Sequence, residues 1–372
     1  MRGRSAGFVA TGLLLLAALA AVAPPAAAAQ PAPPLPKAYV LVDADTGAVL
    51  AQQDARTLRP PASTIKLLTG LIAGQRLRPG DPIPISPTAE GMPARKINVK
   101  APQVWAYDHL MYSMMMVSAN DAAVALAEKI GGGTLDGYVL VANQTATRLG
   151  LADNPILFDP AGLDDEFSNK GGDRISPRDL AIIARAVIAT PGLMEVANTR
   201  NYKFTGGDLL AHTLTNHNLF LDLYPGANGL KTGTTDLAGH TFVGSATRNG
   251  RTMLAVVFDA VDSYASAGAL LDQGFNTPVT AEANLDHLPP VVADASLPPP
   301  TTAPAPLALA VGDVSRNRSI FDSTAFALFL LVVGLLPLRA LRRRVLARSE
   351  RLEEFVDDRP PDRSRELVRS GR

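Results

Sequence analysis

Residues 38–52 read AYVLVDADTGAVLAQ, two short apolar runs broken by Asp-Thr-Gly, and the pattern predicts two strands around a turn. Apolar residues then recur at helical spacing over residues 63–73, 106–116, 120–130 and 135–149, the third of these rich in alanine. Residues 175–189 (ISPRDLAIIARAVIA) predict a further helix, with Ser176 as its cap and Pro177 in its first turn. Strand patterns return at 230–232, 240–247 and 251–258, and Asn249-Gly250 between the last two marks a hairpin. Residues 264–275 predict a closing helix. Strands at both ends with helices between them predict an α/β (α+β) fold, one antiparallel sheet flanked by helices with an inserted helical lobe. No internal repeat is evident.

Two apolar runs lie outside this block. Arg2 and Arg4, an apolar stretch over 8–22 and the small residues 26–29 predict a signal peptide over residues 1–29. An uncleaved anchor is the alternative. Residues 323–338 (STAFALFLLVVGLLPL), followed by Arg339 and Arg342, predict a transmembrane helix over 320–341, with a helix lying in the membrane plane as the alternative. Residues 342–372 mix both charges and predict a cytoplasmic tail. Proline-rich spacers are expected at 30–36 and 276–318, which leaves 37–275 as the folded catalytic unit.

Composition removes several classes of chemistry. Lys+Arg and Asp+Glu balance at 35 each, so charge gives no reason to expect a nucleic-acid partner. Cysteine is absent, which excludes disulfides, thiolate catalysis and cysteine zinc sites. The five histidines show no metal-ligand spacing, so neither a metal nor a cofactor is expected. His212, His217 and His240 are expected as packing or surface residues.

Three short motifs carry chemistry: Ser63-Thr64-Ile65-Lys66, Ser118-Ala119-Asn120 and Lys231-Thr232-Gly233. Positions three apart share one helix face, so Lys66 can reach Ser63 and take its proton once burial or a second cation lowers its pKa. Ser118 and Asn120, two apart at a loop-to-helix junction, can both point into a cleft. Lys231 and Thr232 on an edge strand can hold an anionic substrate, and Gly233 leaves room for the substrate backbone. Each motif alone is weak; their order and domain-scale spacing are what carry the reading. Ser315-Arg316-Asn317 repeats the second motif in the expected linker, and Gly3-Arg4-Ser5-Ala6-Gly7 matches a hydrolase nucleophile motif inside the signal segment. Both are read as chance.

The ordered trio is that of penicillin-binding proteins and class A β-lactamases, which carry S-D-N at the second position where this chain has Ala119. The chain resembles the serine-type D-alanyl-D-alanine carboxypeptidases, low-molecular-mass penicillin-binding proteins, over residues 38–275. The segments MVSANDAAVALAEKIGG, GANGLKTGTTDLAGHTFVGSA, DPAGLDD and ISPRDLAIIARA also carry the likeness. The resemblance implies a β-lactamase/transpeptidase-like fold and removal of the terminal D-alanine from peptidoglycan stem pentapeptides. Ser63 would form the acyl-enzyme, Lys66 would serve as base, and Ser118 would relay a proton to the leaving amine. Asn120 would orient Lys66 and bind the substrate amide. Lys231, Thr232 and Thr234 would hold the terminal carboxylate, and the N–H groups of Ser63 and Thr234 would form the oxyanion hole. β-Lactams would acylate the same serine.

The chain departs from the family at residues 256–262 (VVFDAVD), where Asp259 stands and many relatives carry an arginine. The alternatives are a β-lactamase, for which Glu166 with Asn169 is the hint, a D,D-endopeptidase using the same residues, and a non-catalytic wall-binding module.

Overall fold

Strands from early and late in the described residues meet in one sheet. The computed structural model describes residues 35–168 and 170–291. It begins with β1 (Ala38–Asp43) and β2 (Val49–Gln53), then a 3-10 helix (Ala62–Ile65) that runs into α1 (Lys66–Arg76). The lobe follows as β3 (Pro82–Pro84), α2 (Pro87–Glu90), β4 (Val104–Ala106), α3 (Tyr107–Met116), α4 (Asn120–Ile130) and α5 (Leu135–Leu149). Next come α6 (Pro177–Ile188), α7 (Pro191–Asn198), the hairpin β5 (Asn201–Thr205) and β6 (Ala211–Thr215), and α8 (Phe220–Leu223). The chain returns to the sheet with β7 (Ala227–Thr235), β8 (Gly239–Arg248) and β9 (Arg251–Ala260). It closes with α9 (Ser263–Asn276) and a second 3-10 helix (Val279–Asn284).

The main sheet has the order β2-β1-β9-β8-β7, every pair antiparallel. Side chains alternate across it, and both faces are covered. Val40, Val42, Leu254, Val256 and Phe258 pack toward the helical lobe, with α1, α4 and α6. Leu41, Met253, Ala255 and Val257 point the other way, onto Leu270 and Leu271 of α9. β1 therefore pairs with β9, from the far end of the domain, and the core closes only when both are in place. The Asn249-Gly250 hairpin turn has positive φ at both residues, 52° and 78°, as a two-residue turn between twisted strands requires. Ser176 caps α6 by accepting the Asp179 N–H at 3.0 Å, with Pro177 just inside the helix.

The first part of the expected spacer is folded. Residues 276–290 pack against the sheet. The Val49 N–H donates to Asp286 O and the Leu288 N–H to Gly47 O, both at 2.8 Å. Leu288 is buried, and Arg185 donates to Pro289 O at 2.7 Å. Arg251 holds this segment through paired contacts to Asp43, at 2.6 Å, and to Glu282. The stretch before Pro289 has few prolines and two leucines, so its composition is that of a strap and not of a solvated spacer. The signal peptide, the transmembrane helix and the tail expected at 1–29, 320–341 and 342–372 lie outside the described residues. Among the described residues no single helix is long and apolar enough to cross a membrane.

Arg251 faces two carboxylates whose side chains are only 1% and 4% exposed. Replacing it with alanine leaves both without their cation, which costs about 3–5 kcal/mol for a buried pair. The urea midpoint of Arg251→Ala is expected to fall accordingly with an unchanged slope; a loss under about 1 kcal/mol would show that the strap does not depend on this network.

Candidate active site

Ser63 and Lys66 sit where a left-handed residue turns the chain into α1. Ala62 has φ 48°, and Ser63 follows on the short 3-10 helix, so the expected helix start at 63 is a tighter turn. The three-residue spacing still stacks the two side chains. Lys66 Nζ donates to Ser63 Oγ at 2.7 Å, to Asn120 Oδ1 at 2.8 Å and to Ala161 O at 2.6 Å. The Asn120 amide is oriented by its own Nδ2, which donates to Pro93 O at 3.1 Å.

Lys66 is fully buried. Burial disfavours the ammonium and brings its pKa down to about 7, against the opposing pull of Asp159 and Asp121. The neutral amine has two hydrogens and a lone pair. Asn120 Oδ1 and Ala161 O can only accept, so they take the hydrogens and the lone pair falls toward Ser63 Oγ. That is the arrangement a base needs.

The Ala161 carbonyl is delivered by a loop that the motifs do not announce. Asp159 Oδ1 accepts the N–H groups of Ala161 at 2.8 Å and Gly162 at 2.7 Å, and Oδ2 accepts from Ser168 Oγ at 2.6 Å. Asp173 in turn accepts the N–H groups of Phe158 and Asp159. Burial and the neighbouring Asp159 push the Asp173 carboxyl well above the usual carboxylate range.

The second and third motifs meet at Lys231. Its Nζ donates to Ser118 Oγ at 3.1 Å and to Thr232 O at 2.8 Å. Burial, then Lys66 and Arg95, hold its pKa well below the ordinary lysine value. Ser118 has φ 62°, an uncommon conformation for a residue with a side chain. Gly233 also has a packing role. A Cβ there would lie 2.4 Å from Thr241 Oγ1 and 3.0 Å from Ser63 N, so the glycine lets the nucleophile's turn dock on β7.

A cleft of about 500 Å³ opens over this arrangement, lined by Ser63, Ser118, Asn120, Thr232, Gly233 and Thr234. Lys66 and Lys231 lie beneath it. All eight residues singled out by the motifs are thus brought together. Sequence reasoning missed others. Arg95, His217, His240 and Tyr264 also line the cleft. His217 and His240 were expected as packing or surface residues, and both are exposed; they also line the cleft. His212 packs, stacked between Trp105 and Phe204 and paired with Asp208. Arg95 and His217 lie on loops, which carry no periodicity, and no motif marks His240 on β8 or Tyr264 on α9. Glu166 is exposed on a turn, and no Asp or Glu is among the residues lining the cleft. Asn169 and the two chance motifs lie outside the described residues. Among the described residues no cluster of His, Asp and Glu could hold a metal ion.

The Peptidase S11 family, D-alanyl-D-alanine carboxypeptidase, matches residues 26–262. The chain belongs to this family. As an S11 peptidase it is a serine hydrolase of the D-alanyl-D-alanine carboxypeptidase type and a cell-wall enzyme. It is 33% identical over 244 residues to the D-alanyl-D-alanine carboxypeptidase DacB2 of Mycobacterium tuberculosis, covering 64% of this chain and 81% of that one. It is 30% identical to DacF of Bacillus subtilis, over 60% of this chain and 57% of that protein. The crystal structure of the D-alanyl-D-alanine carboxypeptidase of M. tuberculosis H37Rv superposes with a TM-score of 0.62 at 30% identity, over 68% of this chain and 96% of that one. Penicillin-binding protein D2 of Listeria monocytogenes, in an ampicillin-bound form, superposes at 0.56 with 25% identity, over 65% and 98% of the two chains.

The lowered pKa of Lys66 fixes the sign of one pH dependence. With the free amine as the expected base, acylation of Ser63 is expected to slow as pH falls through about 7. Stopped-flow acylation by a β-lactam between pH 5 and 9 should give an ascending limb with that midpoint; a flat profile would exclude Lys66 as the base.

Proposed function

We propose that this S11 peptidase removes the terminal D-alanine from peptidoglycan stem pentapeptides through an acyl-enzyme on Ser63. The observation that carries the reading is the buried, readily neutral Lys66 amine 2.7 Å from Ser63 Oγ. Lys66 takes the Ser63 proton as Oγ attacks the carbonyl carbon of the penultimate D-alanine. The C–N bond breaks as Ser118, backed by Lys231, gives its hydroxyl proton to the leaving amine and takes the Lys66 proton in return, which leaves Lys66 neutral again. Free D-alanine departs and the peptide remains as an ester on Ser63. Water then attacks the ester and gives its proton to Lys66, which returns it to Ser63 Oγ as the ester C–O bond breaks and the tetrapeptide is released. Asn120 orients Lys66 and binds the substrate amide. Lys231, Thr232 and Thr234 hold the terminal carboxylate, with Gly233 keeping the strand close to Ser63. The N–H groups of Ser63 and Thr234 form the oxyanion hole, in which each donor is worth about 3–4 kcal/mol. β-Lactams acylate the same serine, a reading supported by the ampicillin-bound Listeria relative.

The reading extends to location. The basic, apolar start supports export, and the apolar run at 323–338 with the arginines after it supports a single membrane anchor, a cytoplasmic tail and an outward-facing catalytic domain. Residues 291–318 then serve as the proline-rich tether. Among the described residues no carboxylate lines the cleft, which favours a slow-releasing penicillin-binding enzyme over a β-lactamase, which needs a base to activate water.

Mass spectrometry of a stem pentapeptide incubated with the enzyme is expected to show loss of one D-alanine. In Ser63→Ala the rate should fall by roughly a thousandfold or more, together with labelling by a fluorescent penicillin. Intact pentapeptide after incubation with the wild type would refute the carboxypeptidase reading, and rapid turnover of a chromogenic cephalosporin would favour the lactamase.

A further inference from the structure

Among the described residues that line the cleft, Arg95 is the only Lys or Arg. Lys66 and Lys231 are buried below and both are drawn toward the free amine. A guanidinium stays charged in proteins. Arg95 is exposed, on the loop between α2 and β4, so its charge is carried without a large desolvation cost.

Its place along the cleft is set from two sides. The Asn120 N–H donates to Arg95 O at 2.7 Å, and the Asp121 carboxylate accepts the N–H groups of Ile97 at 3.1 Å and Val99 at 3.2 Å. The guanidinium Nη1 donates to His217 Nδ1 at 3.1 Å, and the His217 N–H donates to Met116 O at 2.9 Å. Both anchors, Met116 and Asn120, flank Ser118. For Nδ1 to accept, the imidazole must be neutral; burial, with Arg95 and Lys231 nearby, keeps its pKa below the ordinary histidine value.

The reaction proposed above, on which this inference rests, puts the leaving amine at Ser118. In a terminal D-alanine the carboxylate carbon is two bonds from that nitrogen, about 2.5 Å away. It therefore lies at the Ser118 end of the cleft. The wall formed by β9 and α9 offers no arginine there. Asp259 pairs with Lys37 at 2.6 Å, and Ser263 and Tyr264 line the surface instead.

We propose that Arg95, positioned by His217, binds the terminal carboxylate of the substrate from the loop between α2 and β4 and not from the β9–α9 segment, where many relatives carry an arginine. One N–H of the guanidinium is held by His217, and the remaining donors are left for the anion. Arg95 contacts substrate; His217 is a positioning residue.

The test uses a pair of thioesters. One is an N-acyl-D-alanyl thioglycolate with its free carboxylate, and the other is the matching thioglycolamide. Both leave as thiols, whose release can be titrated against an enzyme that has no cysteine. Arg95→Ala is expected to lower kcat/KM for the carboxylate roughly 10- to 100-fold, and for the amide less than about twofold. The fold should survive, since Asn120 is bonded to the backbone of Arg95 and not to its side chain. His217→Ala should reduce the same acid-to-amide ratio several-fold, and His217→Gln, which restores an acceptor, should recover part of it. An equal loss on both thioesters would put Arg95 on the acyl portion or in scaffolding, and no loss on either would leave it a bystander; both overturn the assignment. A wild type that cleaves neither thioester and releases no D-alanine would instead remove the carboxypeptidase reading itself.

Discussion

The site depends on holding an amine where water cannot reach it. A lysine in bulk water keeps its proton at neutral pH and cannot act as a base. Moving the ammonium into the interior costs several kcal/mol, and the molecule yields by releasing the proton. Lys66 is fully buried on α1, yet its head touches three oxygens, those of Ser63, Asn120 and Ala161. Those oxygens prevent the opposite outcome, a lysine so uncomfortable that it never holds the proton it has taken. A pKa near 7 is the balance between desolvation and the distant carboxylates Asp159 and Asp121.

That balance needs elements from remote parts of the chain at close quarters. The turn bearing Ser63 is clamped between β7 and the loop at 159–163. On one side Gly233 admits Ser63 N to within 3.0 Å of where a Cβ would stand. On the other, Gly162 has φ 76°, and a Cβ there would fall 1.9 Å from Ala62 O. The two glycines thus set the width of the slot that holds the nucleophile. β7 is an edge strand whose position follows from β8, β9 and β1 in turn, so the slot exists only once the whole sheet has formed.

Much of this was legible in sequence because it is periodic or carries a turn signal. The hairpin at Asn249-Gly250, the capped α6 and the alanine-rich α4 stand where the pattern puts them. The three motifs were legible because chemistry restricts which residue types can occupy them. What escaped lacks both marks. β3 and β4 are three residues each, too short for alternation to show. The Ala161 carbonyl is a backbone group, invisible to any count of residue types. Arg95 and His217 come from loops, and their meeting at 3.1 Å is a product of tertiary packing. The strap at 276–290 was hidden by the prolines that follow it.

The charges of the cleft also act in a definite direction on one another. Lys66 is, after burial, among the causes that lower the Lys231 pKa. Arg95 adds to this on the Lys231 side. A carboxylate arriving at the Ser118 end favours the charged form of Lys231, because an opposite charge stabilises the ammonium. The same anion acts on Lys66 in that sense too, while a proton on Lys231 acts on Lys66 in the opposite one. A neutral ligand in the cleft exerts neither effect, so the charge of the ligand enters the protonation of both buried amines.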